Sequence, residues 1–247
     1  CGGAPQKVMW LWESNLRAAG IRDRVAIEFY TNLPTMFAVK KYGDVLDKMA
    51  EEKKVVVHHT SNLIRIDKDT RIATFENLKT KEQTTKKFDA MHVTPYMSPP
   101  DEIQNSPLAD KTGFIEVDKN TLQHINFANV FALGDSSNLP TSKTAAALSS
   151  QVPVVVSNLV HQMKGETLTA SYNGYTSCPI FVGDNKLVLA EFQYGGKVDE
   201  TFPWDQSTPS RLAFHLKRDF FPVCYWQSYL GGTWFGRNAW FKPSSAY

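Results

Sequence analysis

One stretch of the chain, 129–147, brings a glycine, a carboxylate and a lysine together in an order that suits ligand binding. The apolar run Val130 to Leu133 predicts a buried strand that ends at Gly134-Asp135, and Lys143-Thr144-Ala145 begins a helix of small residues. A carboxylate accepts hydrogen bonds from hydroxyls, and a helix start offers unpaired N–H groups and a positive dipole end. The stretch therefore predicts a site for an anionic or hydroxylated ligand. An ordinary turn capped by Asp135 is the alternative.

The chain holds three cysteines, at Cys1, Cys178 and Cys224. They are too few and too scattered for a disulfide framework or a zinc site, and no CxxC is present. A thiolate is favoured by nearby positive charge or by a helix N-terminus. Cys1 precedes a predicted helix and Lys7 follows it closely, whereas Cys224 lies in an apolar aromatic run and is expected to be inert. From the residues alone, an exposed thiol at Cys1 and a structural thiol at Cys178 are the alternatives.

Composition and charge narrow the classes of function. The 247 residues are 42% hydrophobic and 21% charged with a net charge of +2, a globular balance that gives no case for nucleic acid. No apolar run reaches about 18 residues, so no transmembrane helix is predicted. The six histidines form no HxxxH or HExxH pattern, and we predict no metal. Because residue 1 is Cys rather than Met, we expect a piece of a longer protein, whose missing leader says nothing about localisation.

The elements that must position these residues alternate between strand and helix. A first helix over 5–19 carries a ragged apolar stripe of Val8, Leu11, Leu16 and Ala19. Further helices are predicted over 41–52 and 152–163. Strands are predicted over 25–30, 55–58, 61–67, 70–75, 88–95, 114–117 and 187–194. Residues 79–87 are expected to be a charged, exposed segment, and residues 172–179 a polar loop. This alternation predicts parallel sheets and the α/β class.

The C-terminal segment 211–247 is dense in aromatic residues with cations between them. The aromatics are Phe214, Phe220, Phe221, Tyr225, Trp226, Tyr229, Trp234, Phe235, Trp240 and Phe241, and the cations are Arg211, Lys217, Arg218, Arg237 and Lys242. Such segments fit a monotopic membrane surface, with rings at headgroup depth and cations near lipid phosphates. A C-terminal core or an oligomer interface would bury the same aromatics and is the alternative. Pro222 is expected to interrupt the helix that precedes it.

Several rare strings occur along the chain in a fixed order, from residue 1 to about residue 205. They are Cys1-Gly-Gly-Ala-Pro-Gln-Lys7, Val39-Lys-Lys-Tyr42, His92-Val-Thr-Pro-Tyr-Met-Ser-Pro-Pro100, Thr121-Leu-Gln-His124, the stretch 129–147, and Tyr175-Thr-Ser-Cys-Pro179. In these strings the chain resembles the sulfide:quinone oxidoreductases, which belong to the two-dinucleotide-domain flavoprotein superfamily. It is most similar to the eukaryotic mitochondrial branch of that family.

The resemblance implies an incomplete glutathione-reductase-like fold with three parts. Residues 1–95 would be most of the second, NAD-like domain, and residues 96–170 would complete the FAD-binding domain. Residues 171–247 would hold the loop of the second redox cysteine and the quinone and membrane region. The first half of the FAD domain, with its GxGxxG loop for the pyrophosphate, has no counterpart, since no GxGxxG occurs in the chain.

The resemblance also implies a reaction. Cys1 and Cys178 would be a redox pair that takes up hydrogen sulfide and leaves a persulfide on Cys178. An acceptor such as glutathione or sulfite would remove the sulfane sulfur, and two electrons would pass through FAD to ubiquinone. The enzyme would lie on the mitochondrial inner membrane as a peripheral, monotopic protein.

The stretch 129–147 would then be part of the FAD site. By resemblance, Gly134 and Asp135 approach the ribityl chain, which Asp135 would bind through a hydrogen bond, and Lys143, Thr144 and Ala145 approach the isoalloxazine ring at the helix start. A related flavoprotein such as a type II NADH dehydrogenase is one alternative, although the cysteine pair argues against it. A chain that binds no flavin and acts as a membrane-surface or interaction module is the other, and the missing GxGxxG half favours it.

Overall fold

A computed structural model describes residues 1–234 and residue 237 of the chain. Its α-helices are α1 Ala4–Ala18, α2 Lys40–Glu52, α3 Asp101–Gln104, α4 Ala145–Lys164, α5 Arg211–His215 and α6 Phe221–Cys224. Its strands are β1 Ile27–Tyr30, β2 Val55–His58, β3 Ser61–Asp67, β4 Ile72–Asn77, β5 Gln83–Lys87, β6 Thr176–Phe181 and β7 Leu187–Phe192. Short 3₁₀ helices lie at Arg22–Arg24, Gly134–Ser136 and Tyr194–Gly196, and π-helical turns at Leu216–Phe220 and Tyr225–Tyr229.

The strands form three small sheets. Strands β1 and β2 run parallel, with Ile27 opposite Val55, while β3, β4 and β5 form an antiparallel meander. Strands β6 and β7 are antiparallel, and Cys178 lies opposite Ala190. The expected mixture of helix and strand is present, but β1 and β2 are the one parallel strand pair within the described residues.

Two hydrophobic cores support the predicted site residues, one under the cysteines Cys1 and Cys178 and one under the stretch 129–147. The first core joins α1, α2, β1, β2, β6 and β7 and contains Cys178; its other fully buried members include Trp10, Met36, Phe37, Tyr42, Leu46 and Ile180. The second core packs α4 against the segments around it and includes Val117, Leu122, Ala132, Val154 and Tyr172. The cysteines Cys1 and Cys178 therefore pack in the first core, and the stretch 129–147 packs in the second.

The buried face of α1 differs from the predicted stripe. Leu11 is 45% exposed, and the buried positions are Gln6, Met9, Trp10 and Glu13. The polar members can be buried because each has partners: Gln6 donates to the carbonyl of Met36 at 2.8 Å and accepts from the Trp10 indole at 3.1 Å. The spacing of apolar residues does not predict this face, because two of its four buried residues are polar.

Three predicted strands are wrong, for one physical reason. Residues 88–95 form no strand, and β5 lies instead in the segment predicted as charged and exposed, where it pairs with β4. Residues 130–133 make a single bridge, from Phe131 to Gln123, and 114–117 likewise has only isolated bridges. A strand needs a partner along its length, and local composition does not reveal whether one exists.

Two predicted helix boundaries are also wrong. The helix start at 143–147 and the helix at 152–163 are one element, α4, which contains Pro153 and ends at Gly165 in a left-handed conformation. Pro222 does not end the C-terminal helix, because helical turns continue from Arg211 to Tyr229. Pro222 has no N–H to donate, and the π-helical turns before and after it let the helical chain continue without that hydrogen bond.

Candidate functional site

Cys1 and Cys178, 177 positions apart in sequence, meet in the first core. Their sulfur atoms are 2.7 Å apart, and both cysteines are present as free thiols. A disulfide bond measures about 2.05 Å, so a small movement would join them. Cys178 is completely buried and Cys1 is partly buried. Cys178 lies in strand β6 and not in the polar loop that the sequence predicted.

Gly3 allows the start of α1 to approach Cys178. A Cβ atom at Gly3 would lie 2.6 Å from the sulfur of Cys178 and 3.1 Å from Cγ1 of Ile180, closer than real Cβ contacts. The backbone N–H of Gly3 is hydrogen-bonded to the Cys178 sulfur. The N-terminal end of a helix therefore points its unpaired donors at the buried thiol.

Two lysines set the charge around the thiol pair. Burial raises the pKa of Cys178, although Lys7, the Gly3 N–H and Lys217 all act to lower it. The ammonium of Lys7 donates to the sulfur of Cys1 at 3.6 Å. Burial lowers the pKa of Lys217, and the charge of Lys7 lowers it further. Sequence reasoning grouped Lys217 with the membrane-facing cations, whereas its charge acts on Cys178.

The second predicted site begins at a turn that glycine makes possible. Gly134 has a φ of +65°, which favours glycine, and its N–H donates to Oε1 of the buried Gln151 at 2.7 Å. Asp135 follows it in a 3₁₀ turn with its side chain exposed to solvent. Sequence reasoning missed Gln151, since no local pattern marks a glutamine in α4 as the residue that orients this turn.

Lys143, Thr144 and Ala145 lie together at the start of α4. Thr144 is the N-cap, and its hydroxyl accepts from the N–H of Ala147 at 3.0 Å. Lys143 donates to the carbonyl of Ser137 at 2.5 Å, and burial lowers its pKa although Asp135 attracts the charged form. Gly134, Lys143 and Thr144 line one depression, and Ala145 is exposed beside it.

A hydroxyl bridge connects the two sites. The hydroxyls of Thr144 and Thr176 are hydrogen-bonded at 2.9 Å, and Thr176 also donates to the carbonyl of Ser142 at 3.2 Å. Thr176 lies two residues before Cys178 on β6, so the two side chains are on the same face of the strand. The loop before α4 is thus attached to the strand that carries the buried cysteine.

These residues suit one part of a flavin dinucleotide. An exposed carboxylate, a lysine and an open helix start match the hydroxyls of a ribityl chain and a ring that becomes anionic on reduction. The pyrophosphate would need a different donor set, and the sequence contains no GxGxxG loop to supply it. The described residues fit the ring and ribityl end of the cofactor.

The fold is that of a two-dinucleotide-domain flavoprotein. It is similar to the sulfide:quinone oxidoreductase of Aquifex aeolicus, with a TM-score of 0.75 and 13% identity, over 91% of this chain and 55% of that one. It is also similar to NDH2 of Plasmodium falciparum, with a TM-score of 0.52 and 11% identity, over 92% of this chain and 64% of that one. At these identities the comparison concerns fold alone.

The sequence narrows the class to one family. The chain is 51% identical to the mitochondrial sulfide:quinone oxidoreductase of Dictyostelium discoideum, over 98% of this chain and 54% of that protein. It is 44% identical to the mouse protein of that name, over 96% of this chain and 53% of that protein. The chain belongs to the sulfide:quinone oxidoreductase family and spans about half the length of the curated relatives it matches. No protein-family model matches it.

Proposed function

We propose that the chain carries the two-cysteine centre of a mitochondrial flavoenzyme that oxidises hydrogen sulfide and reduces quinone. The observation that carries the proposal is the 2.7 Å approach of Cys1 and Cys178 beside Lys7. Thiols at this separation can alternate between dithiol and disulfide, which sulfide oxidation requires. A type II NADH dehydrogenase reaction needs no such pair.

In the proposed reaction, hydrosulfide attacks the Cys178 sulfur of a Cys1–Cys178 disulfide. A new S–S bond forms on Cys178, the bond between the two cysteines breaks, and Cys1 leaves as a thiolate. The sulfide sulfur is oxidised by two electrons and becomes the outer atom of a persulfide. The electron pair of the broken bond moves to Cys1, where Lys7 lies 3.6 Å away.

The electrostatics of the pair support this direction of attack. The thiol with the lower pKa leaves faster in thiol–disulfide exchange. Burial raises the pKa of Cys178, so expelling Cys178 as a thiolate would place an unfavourable charge in the core. Expelling Cys1 places the charge beside an ammonium, and the persulfide is therefore expected on Cys178.

The remaining half of the cycle returns the cysteines to the disulfide. An acceptor nucleophile such as glutathione or sulfite attacks the outer sulfur and releases the Cys178 thiolate, whose charge the Gly3 N–H, Lys7 and Lys217 partly offset. FAD, when bound, would supply the two-electron acceptor for closing the disulfide again, and ubiquinone would be the final acceptor of the electrons. Asp135 would hold the ribityl hydroxyls, and Lys143, Thr144 and Ala145 would face the ring, while Thr176 keeps that loop against β6.

Trapping the persulfide tests the thiol chemistry without cofactor. The chain is oxidised with glutathione disulfide, treated with sulfide, blocked with an alkylating agent and digested for mass spectrometry. We expect an added sulfur of about 32 Da on the Cys178 peptide, because Cys1 is the better leaving group. Cys224→Ser should behave as wild type, whereas Cys1→Ser should give a persulfide only in the fraction of chains whose Cys178 first formed a mixed disulfide with glutathione. A persulfide confined to Cys1 would reverse the assignment, and its absence from the wild-type chain would refute the proposal.

The visible spectrum of the purified chain tests flavin binding separately. A band near about 450 nm would indicate bound oxidised flavin. A colourless chain that still forms the persulfide would assign the FAD site to a longer protein, and the isolated chain would then be a non-catalytic module. The three-part division at residues 95 and 170 predicts that the flavin contacts of this chain lie in 96–170.

We further propose that the C-terminal helical turns rest on the mitochondrial inner membrane from one side. Within the described residues, no helix is long and apolar enough to cross a bilayer. Several large apolar side chains of this region are exposed: Leu212, Val223, Tyr225, Trp226 and Leu230. Arg237 does not share this role, since its guanidinium lies 4.1 Å from the Tyr175 ring centre and pairs with Asp199. Phe235, Trp240, Phe241 and Lys242 lie outside the described residues.

A further inference from the structure

Helix α1 touches strand β6 and the turn after it at two points far apart. At the first, the missing side chain of Gly3 admits the sulfur of Cys178. At the second, Gly183 has a φ of +80°, and a Cβ there would lie 2.9 Å from Cβ of Ser14 and 3.2 Å from the carbonyl of Trp10. Two close approaches on one helix define its register along the strand.

The two elements have matching lengths between these contacts. Helix α1 rises about 16 Å from Gly3 to Ser14, at about 1.5 Å per residue. The chain from Cys178 to Gly183 spans about 16 Å at about 3.3 Å per residue. A shift of α1 at the distant contact therefore moves Cys1 relative to Cys178 by the same amount, since a helix transmits displacement along its axis as a stiff rod.

An ion cluster holds the distant contact. Glu13 has a side chain 2% exposed and accepts from Arg17 at 3.0 Å and from Lys53 at 2.7 Å. Arg17 and Lys53 also donate to Asp184, in the turn after β6, at 2.6 and 3.2 Å. Ser14 donates to the Asp184 carboxylate at 3.3 Å, and its hydroxyl accepts the N–H of Asp184 at 3.2 Å. Asp184 is the member of the cluster that belongs to the turn.

We propose that this cluster, Glu13–Arg17–Lys53–Asp184, is a positioning device that fixes the register of α1 on β6 and thereby the effective concentration of the Cys1 thiol at Cys178. The proposal rests on the proposed function, because it assumes that the two cysteines form a disulfide. Such sensitivity is expected, since a misplacement of about 1 Å can cost about a hundredfold in a reaction between held groups.

Asp184→Asn tests how much the ion cluster contributes to the register of α1 on β6. Asp184 has a φ of +55°, a conformation that Asn tolerates well, so the turn keeps its shape while its charge is removed. Glu13 keeps both cations, and no buried charge is left unpaired. Arg17→Met is a second variant, which removes one of the two cations shared by Glu13 and Asp184 and leaves Lys53 on both.

The measurement is the equilibrium of the chain with mixtures of reduced and oxidised glutathione. The two thiols lose two electrons and two protons, which convert one glutathione disulfide into two glutathione thiols. We expect the equilibrium constant for disulfide formation to fall about tenfold in both variants, a shift of about 30 mV for a two-electron couple. Asp44→Asn, which removes a carboxylate from the exposed pair with Lys40 on α2, should leave the constant unchanged.

The variant Asn158→Ala distinguishes a general loss of stability from a change in the position of α1. Asn158 is buried in the second core, where it donates to the carbonyls of Thr121 and Ala170, so the variant should lower Tm without shifting the constant. Wild-type constants in both Asp184→Asn and Arg17→Met would overturn the positioning role alone. A wild-type chain that forms no Cys1–Cys178 disulfide in any glutathione mixture would overturn this inference and the proposed function together.

Discussion

At the scale of single residues, the cysteine pair is asymmetric, and that asymmetry has a physical origin. Cys178 lies fully inside the core, where a thiolate is disfavoured, while Cys1 lies at the edge beside Lys7. Two short strings of the sequence, through their resemblance to one family, are enough to single out both cysteines. They do not predict the burial difference or the 2.7 Å approach, because a contact across 177 positions leaves no local pattern.

Gly3→Ala is predicted to separate the two thiols. The new Cβ would lie 2.6 Å from the Cys178 sulfur, so α1 or β6 must shift. We expect a loss of about 1 to 3 kcal/mol in the free energy of unfolding, as for other overpacked cores, together with a smaller disulfide equilibrium constant. Denaturant unfolding and glutathione titration measure the two quantities. Gly2→Ala is the matched control, since its Cβ would meet nothing closer than 3.7 Å.

Lys217→Met is predicted to raise the pKa of Cys178 further above its usual value. The charge of Lys217 now opposes the effect of burial, and a methionine of similar length would remove it. With less thiolate at neutral pH, alkylation of Cys178 should slow and its pH profile should move to higher pH. The rates are best compared in a background of Cys1→Ser and Cys224→Ser. Arg218→Met, at an exposed neighbouring position, should leave the profile in place, and an unmoved profile in Lys217→Met would refute the prediction.

At the scale of elements, the sequence predicted best where local signals suffice. The bounds of β1, α2, β2 and β3 agree with the predicted ones within two residues. Apolar runs, turn residues and caps act over a few positions, so the bounds that they set can be predicted from the local sequence. The predictions failed at β5 and at 130–133, where strand formation depends on whether a distant segment supplies a partner.

The ion cluster between α1 and the turn after β6 predicts an acid-sensitive stability. Burial by itself would raise the pKa of Glu13, but hydrogen bonds from Arg17 and Lys53 outweigh it and hold that pKa below its ordinary value. Such a carboxyl stabilises the fold above its unfolded pKa, about 4.3, and the contribution is lost as the pH falls through the folded value. Tm should therefore decline as the pH is lowered through this range.

Glu13→Gln tests that source of acid sensitivity. The variant should lose up to about 3 kcal/mol of stability at neutral pH, because Arg17 and Lys53 lose their buried partner. It should also show a shallower decline of Tm in acid. Glu51→Gln, on the exposed side of α2, should keep the wild-type profile. An acid decline equally steep in Glu13→Gln would assign the sensitivity to other carboxylates.

In the whole molecule, the cysteine pair and the loop at the start of α4 are connected, although they were predicted as separate sites. The hydroxyls of Thr144 and Thr176 connect the loop at the start of α4 to the strand of Cys178. The ordered strings identified the family, which the comparisons confirm. They could not reveal the bridge, since Thr176 is one of many threonines in the sequence and only the fold brings it within 2.9 Å of Thr144.

The C-terminal helical turns carry the surface by which the proposed enzyme would meet the membrane. Val223 is 57% exposed and Trp226 is 67% exposed on the C-terminal helical turns, so neither is needed to fill the core. Burying each in the interface would contribute about 1.5 to 3 kcal/mol, and a carboxylate in its place would be repelled by anionic lipid. The double variant Val223→Glu and Trp226→Glu should therefore reduce sedimentation with anionic vesicles by more than about tenfold while leaving Tm unchanged. Met163→Glu on α4, at a position 79% exposed, makes a comparable change away from this surface and should sediment as wild type does. Equal sedimentation of the double variant and the wild-type chain would show that these turns face a protein partner or solvent instead of lipid.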